Sequence, residues 1–447
     1  MTNKGKPSRT GFPANADDKA SVIGRNTQMM RLTATPAAQA MSEYRQRSAE
    51  ITAIQDADQR RLAESELREA RRLLVMEYSG GFFRRLVSQP ADGVEALVWF
   101  WFNHFNVLWQ NDLVGAALPS YIDEVLRPNA EGRFRDLLLG TMTHPAMLVY
   151  LDNTRNGSGK MNENYARELL ELHTLGVNGG YNQADVRETA RILTGAGLRP
   201  LEPVQWAPKQ VPHLVQRGEF LFDPRRHDFG RKDLLGQTIP GKGFGELEAL
   251  ADRLSRHPAT ARHLAGKLCL FLVGEGSPPA LAEEAARIFR ETSGNLAAVL
   301  GPIRERLNRR DAPGLKTFKE PQRWLTSALA LLSGGVPVKN AQLPLGWLSA
   351  LGQGLFSCRT PDGYSLRGGD WLSAGQLAQR FELAPQIVNT LPRLAETAMP
   401  PEQIRASPAV GALEATLGPK SRQALTRAKG DAGRLALLIS SPEFMYW

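Results

Sequence analysis

Cysteine is nearly absent from this 447-residue chain, which has only Cys269 and Cys358. Two thiols exclude a disulfide scaffold and any cysteine-rich metal site. Cys269 stands in the apolar run LAGKLCLFLVG, where a thiol acts as a small core hydrophobe. No apolar run reaches the roughly 18 residues that a membrane-spanning helix needs. The polar start, MTNKGKPSRTGFPANADDKASVIGRNTQ, shows neither an apolar export core nor twin arginines, so the visible amino terminus predicts a cytoplasmic protein. HExxH, GxSxG, Walker and Rossmann patterns are all missing, which removes the best-marked metalloproteases, serine hydrolases and nucleotide enzymes. No zinc finger, RNA-recognition motif or basic arm occurs either. The formal net charge of +9 therefore favours anionic partners without pointing to specific nucleic-acid binding.

What is present is the composition of a folded soluble protein, 42% hydrophobic and 23% charged. The patterning is mainly α. Residues 1–35 read as a flexible tail and 36–80 as a charged helical arm, either one long helix or a hairpin. Residues 81–447 read as one large helical domain, interrupted at about 199–245 by a small glycine-rich β or loop insertion. The segment PADGVEALVWFWFNHFNVLW is apolar all round, as a buried central helix should be. In THPAM and RHPATARHLAG, Pro145 and Pro258 fit the first turns of helices, so His144 and His257 read as capping residues.

The chemistry concentrates in NENYARELLELHTLGVNGGY, residues 162–181. With Asn162 as cap, the helical period puts Asn164, Glu168, Glu171 and Leu175 on one face. Arg167 lies i, i+4 from both Glu163 and Glu171, in reach of either carboxylate. His173 points about 140° away from Glu168, so this helix alone holds no metal site. Its leucines spread around the axis and predict partial burial. A partly buried carboxylate pair has split pKa values, the arrangement of an acid and a base. The structural alternative is an ion-pair network tying Glu163, Arg167, Glu168 and Glu171 to Arg133, Arg135 or Arg187.

Elsewhere, His104 sits in the aromatic helix between Asn103 and Asn106, and YLDN supplies Asp152 and Asn153 at the mouth of a loop. His227 and Asp228 fall on the irregular insertion, and loop residues are better functional candidates than core ones. These give Glu168, Glu171, Glu163 and His104 as candidate catalytic groups. Arg167, Asn103, Asn164, Asp152, Asn153, His227 and Asp228 are candidate substrate contacts, and His173 is a candidate metal ligand. No motif specifies a cofactor.

The blocks FWFNHFNV, LRPNAEGRFRDLLLGTMTHPAMLVYLDN, NENYARELLELHTLGVNGGYNQADVRETARILTG, FDPRRHDFGRKDLLGQTIPG, HPATARHLAGKLCLFLV, LGQGLF and SPEF occur in this order. Together they resemble the bacterial domain of unknown function 1800 family over most of the chain. The resemblance brings no activity with it. It implies envelope or polysaccharide biology and a periplasmic or exported location, because members are often predicted to be exported and often encoded beside a sulfatase-like family. An anionic glycan or a sulfatase-like protein is the implied partner. Two departures stand out: no NRFGFG-like segment precedes residue 40, and Ala196 in LTGAG replaces a common tryptophan, which is expected to alter a pocket wall. Three readings follow. The first is a hydrolase or lyase on saccharides working through a carboxylate pair. The second is a metal or redox protein using His104, His173 and His227 with a carboxylate. The third is a non-enzymatic envelope scaffold.

Overall fold

The computed structural model describes residues 37–89, 91–309, 317–334, 336–395 and 399–447, and the expected tail at 1–35 lies outside them. The 36–80 stretch forms a hairpin of α1 (Ala37–Thr52) and α2 (Ala57–Ser88). Asp56 starts α2 by accepting hydrogen bonds from the amides of Asp58 (3.0 Å) and Gln59 (2.8 Å). Its first turns are charged and exposed, but Phe82, Phe83, Leu86 and Val87 near its end enter the core. Both helices pack on α4 (Asp112–Ser120), where the buried Arg71 pairs with Asp112.

The central helix α3 (Val94–His104) is buried from Leu97 to His104. Helix α4 runs on into a π-helical turn, Tyr121–Leu126. The chain then forms α5 (Phe134–Thr143), α6 (Pro145–Tyr150), α7 (Asn164–Glu171) and α8 (Gln183–Leu193). Helix α8 opens with a capping box of Asn182 and Asp185.

The insertion carries short antiparallel strands. β1 (Ala196–Leu198), β2 (Val215–Arg217) and β3 (Phe220–Phe222) form one sheet with β3 in the middle. β4 (Lys232–Leu234) and β5 (Gln237–Ile239) form a hairpin that lies against α8. Ala196, expected to line a pocket, is instead fully buried in β1 opposite Phe222.

Helices α9 (Gly245–Arg256), α10 (Pro258–Leu272), α11 (Pro279–Glu291) and α12 (Leu296–Asn308) stack in sequence. His144 and His257 cap α6 and α10, each ring Nδ1 accepting an amide hydrogen bond at 3.2 Å. Beyond α13 (Pro321–Ser333) and α14 (Gln342–Ala350) comes an irregular segment. It is followed by α15 (Ala374–Leu394), α16 (Pro401–Arg405), α17 (Pro408–Thr416), α18 (Pro419–Thr426), α19 (Gly430–Ile439) and α20 (Pro442–Met445). The end of the chain returns to the middle, with the amides and carbonyls of Thr317 and Trp447 bonded in both directions at 3.1 Å. One hydrophobic cluster runs from Met41 to Met445, so the fold is a mainly α body with one continuous core. Among the described residues no helix is long and apolar enough to cross a membrane.

Candidate functional site

Helix α7 is shorter than the period predicts. Asn162 Oδ1 accepts from the Asn164 amide at 2.9 Å and starts the helix, which ends at Glu171. The amides of Leu172 and His173 then both bond the Glu168 carbonyl, and Leu175 N bonds Leu170 O, so the chain leaves in widened turns. Gly176, at φ +84°, completes the exit. Leu175 therefore does not share a helix face with Glu168, and His173 is turned into the core.

The polar side chains of α7 divide into two groups. Glu163, Arg167 and Gln183 clamp α7 to α8 at the surface: Arg167 bonds Glu163 at 3.4 Å and Gln183 at 2.9 Å, and Gln183 bonds Glu163 at 2.7 Å. Arg167 thus engages only one of the two carboxylates that the spacing offered it, and Glu171 instead accepts from Tyr181 Oη at 3.2 Å. Asn164 reaches back to the Leu151 carbonyl at 3.3 Å. The alternative network through Arg135 does not form, because Arg135 is engaged by Asp252 (2.9 Å) and Asp136 (3.2 Å). Glu168 is the exception. Half-buried, its carboxylate has no hydrogen bond or ion pair among the described residues. Burial, then the neighbouring carboxylates Glu171 and Asp362, raise its pKa against the opposing pull of Arg167.

One group from a distant segment, Asp362, acts both on Glu168 and on Lys267 of α10. Lys267 projects from α10 without an ion pair among the described residues, and burial lowers its pKa to about 8 while Asp362 opposes the shift. Asp362 is exposed and is sensed by Glu168, Lys267 and Tyr150 alike. The Tyr150 hydroxyl donates to the Arg359 carbonyl at 2.9 Å, and burial pushes its pKa up to about 12. The segment bearing Asp362 is fastened from α3. Asn103 Nδ2 donates to the Tyr364 carbonyl at 2.8 Å, and the Tyr364 amide donates to Asn103 Oδ1 at 2.7 Å. Asn106 donates to the carbonyls of Cys358 (3.1 Å) and Thr360 (2.9 Å). Asn103, a candidate substrate contact by sequence, is thus occupied as an anchor for that loop.

Three histidines lie within electrostatic range of Lys267. His104 Nε2 donates to the His173 carbonyl (3.1 Å), and His263 Nε2 to the Leu172 carbonyl (3.1 Å). The ring of His104 lies 6.0 Å from that of His173 and 6.1 Å from that of His263. Burial, reinforced by Lys267, lowers His173 to about 3 and His263 to about 4, and pushes His104 well below its ordinary value. All three rings are neutral at pH 7. With His104 and His263 directed at backbone carbonyls, His173 has no co-ligands, and no group of three or more His, Cys, Asp or Glu with metal-binding geometry occurs among the described residues. The expected roles of His104 as catalyst and His173 as metal ligand find no support here. Neither ring reaches solvent.

The remaining candidates have partners within the protein. Although it belongs to the insertion, His227 is buried, with Nδ1 on the Thr194 carbonyl (2.7 Å) and Nε2 on Glu246 (2.9 Å). Glu246 also pairs with the buried Lys232 at 2.6 Å. Asp228 is held by Arg191 at 2.8 Å and caps the Gly230 amide, and this guanidinium holds its carboxyl down at about 2. Asn153, fully buried, donates to the carbonyls of Leu193 (3.2 Å) and Ala196 (2.9 Å). Asp152 takes a left-handed turn at φ 58° and directs its side chain to Arg155.

Lys267, Asp362, His263 and Tyr150 were invisible as a group in the sequence. Lys267 did carry a signal, as a lone lysine in an apolar helix, which is rare unless paired or used. Asp362, in the turn TPDGY, carried none.

The fold defines a mainly α protein in which Asp362, on a loop fastened to α3, acts electrostatically on Glu168 of α7 and on Lys267 of α10. The chain belongs to the family of proteins of unknown function DUF1800, whose sequence model matches residues 8–446. Nothing among curated proteins or solved structures matches it.

Proposed function

We propose that the chain is an acid–base enzyme of the hydrolase class acting on saccharides, with Glu168 as acid, Asp362 as base or nucleophile and Lys267 as the cation between substrate and Asp362. The reading is supported by the coupling of Asp362 to both Glu168 and Lys267, groups from three separate segments, with burial raising Glu168 and lowering Lys267. A carboxyl whose pKa is raised by desolvation, with a second, solvent-facing carboxylate in electrostatic range, is the kind of pair that glycosidic cleavage uses. Glu168 would donate its proton to the leaving oxygen while Asp362 activates water or attacks the anomeric carbon.

The test is a panel of neutral and uronate-containing oligosaccharides assayed for new reducing ends. Wild type should turn over at least one. Glu168→Gln and Asp362→Asn should each lose about 100-fold or more while unfolding at the wild-type temperature. A silent panel, or full activity in Glu168→Gln, rejects the reading.

A further inference from the structure

A concave feature lies apart from these residues, in the carboxy-terminal helices. Helices α15, α18 and α19 and the start of α20 enclose a groove of about 650 Å³. Its walls are apolar, formed by Phe381, Pro385, Leu425, Ala432, Ala436 and Leu437. Phe381 is 52% exposed and Leu437 39%, although both belong to residue types that normally pack inward. The volume is in the range of small-molecule sites, roughly 300–1,000 Å³.

The charge around the groove is one-sided. Lys420 and Lys429 line it, both are exposed, and neither has an ion pair or hydrogen bond among the described residues. No acidic side chain lines it. Three acids of the surrounding helices are engaged by other groups: Asp431 with Arg405 at 2.6 Å, Glu414 with Arg434 at 2.8 Å, and Glu443 with the Gly418 amide and the hydroxyl of Ser421 at the groove's edge at 2.8 Å each. An apolar trough with two unmatched cations and no anion is complementary to a ligand with an apolar chain and one anionic end.

We propose that this groove binds a single-chain fatty-acid carboxylate, its chain along Phe381, Leu425 and Leu437 and its carboxylate between Lys420 and Lys429. Each buried methylene contributes about 0.8 kcal/mol, so chain length sets affinity, and the lysines select the headgroup. Small side chains at Ala432, Gly433 and Ala436 keep the trough open; filling it should evict the chain. The inference is independent of the saccharide reading and shares no residue with it.

The experiment is calorimetric titration of the full chain with laurate, dodecanol and dodecylammonium below their aggregation concentrations. Laurate should saturate at one per chain, with dodecanol at least 10-fold weaker and dodecylammonium unbound. Lys420→Ala/Lys429→Ala should weaken laurate about 10-fold or more, and Ala432→Trp should abolish it at unchanged thermal stability. Equal binding of laurate and dodecanol, or laurate binding that survives Ala432→Trp, overturns the proposal. If Ala432→Trp does not fold, Gly433→Leu serves as the filling variant. Binding only to laurate-containing vesicles and not to the monomer also overturns it.

Discussion

Asn103 and Tyr364, 261 residues apart, are joined by a reciprocal pair of hydrogen bonds at 2.8 and 2.7 Å. A side-chain amide has a donor and an acceptor at the spacing of a peptide group, so Asn103 pairs with the backbone of Tyr364 as a neighbouring strand would. Two residues before Tyr364 stands Asp362. The central helix therefore determines where that carboxylate lies.

Replacing Asn103 by alanine should free the loop. It strands a carbonyl and an amide at Tyr364, at a cost of about 1–3 kcal/mol. Limited proteolysis should then cut within residues 358–366 faster than in wild type, with the urea midpoint lowered. Unchanged cleavage would mean that Asn106 alone holds the segment.

Gly363→Ala tests the same contact from the loop side. Gly363 sits at φ +77°, and a Cβ there would lie 2.1 Å from the Asn103 carbonyl oxygen. Gly352 has a similar φ of +81° but meets nothing within 4 Å. Both alanine variants incur the left-handed penalty of about 1–2 kcal/mol, and only Gly363→Ala adds a collision with backbone. Its loss of stability by urea unfolding should exceed that of Gly352→Ala.

The buried histidines make the fold acid-sensitive in a defined window. His144 and His173 are lowered by burial to about 3 and His263 to about 4, from an ordinary value near 6.5. Above pH 6.5 both folded and unfolded chains hold these rings neutral, and no slope arises. Below it the unfolded chain binds protons that the folded chain refuses, so stability falls as pH drops from about 6.5 toward 3. Each ring contributes a slope of about 1.4 kcal/mol per pH unit inside its window. Urea titrations at pH 7 and pH 5 should show the loss, and His173→Phe should lessen it.

Periodicity made the helices legible because burial acts on each turn locally. The apolar run at Leu97–Phe102, the proline-led caps at His144 and His257 and the glycine-rich hairpin follow from their own residues. The proposed site was legible only in part. Glu168 was placed correctly on α7 and in partial burial, but its companions Asp362 and Lys267 come from segments whose approach is set by tertiary packing. Arg167 had two partners available by spacing, and the choice was made by Gln183 on the neighbouring helix. His227 stood in a glycine-rich stretch that looks exposed, yet β3 and α9 close over it, so its polarity served the core.

That core network offers a test that separates charge from shape. Glu246 Oε1 accepts from His227, from the Lys242 amide (2.8 Å) and from the Gly243 amide (3.1 Å), while Oε2 faces Lys232. Glutamine keeps an oxygen for the first set and presents an NH2 to the lysine. Both the Glu246 and Lys232 side chains are wholly shielded from solvent, so Glu246→Gln leaves a buried ammonium with the Asp228 carbonyl but no carboxylate, at a cost of about 3–5 kcal/mol. Lys232→Met alone removes the cation and leaves Glu246 with its two amides and His227, so it should cost less. In the double variant the donor-against-donor contact is gone, and the combined loss should be smaller than the sum of the two single losses by more than about 0.5 kcal/mol. Strict additivity in a urea double-mutant cycle would show that Lys232 and Glu246 stabilise the insertion separately.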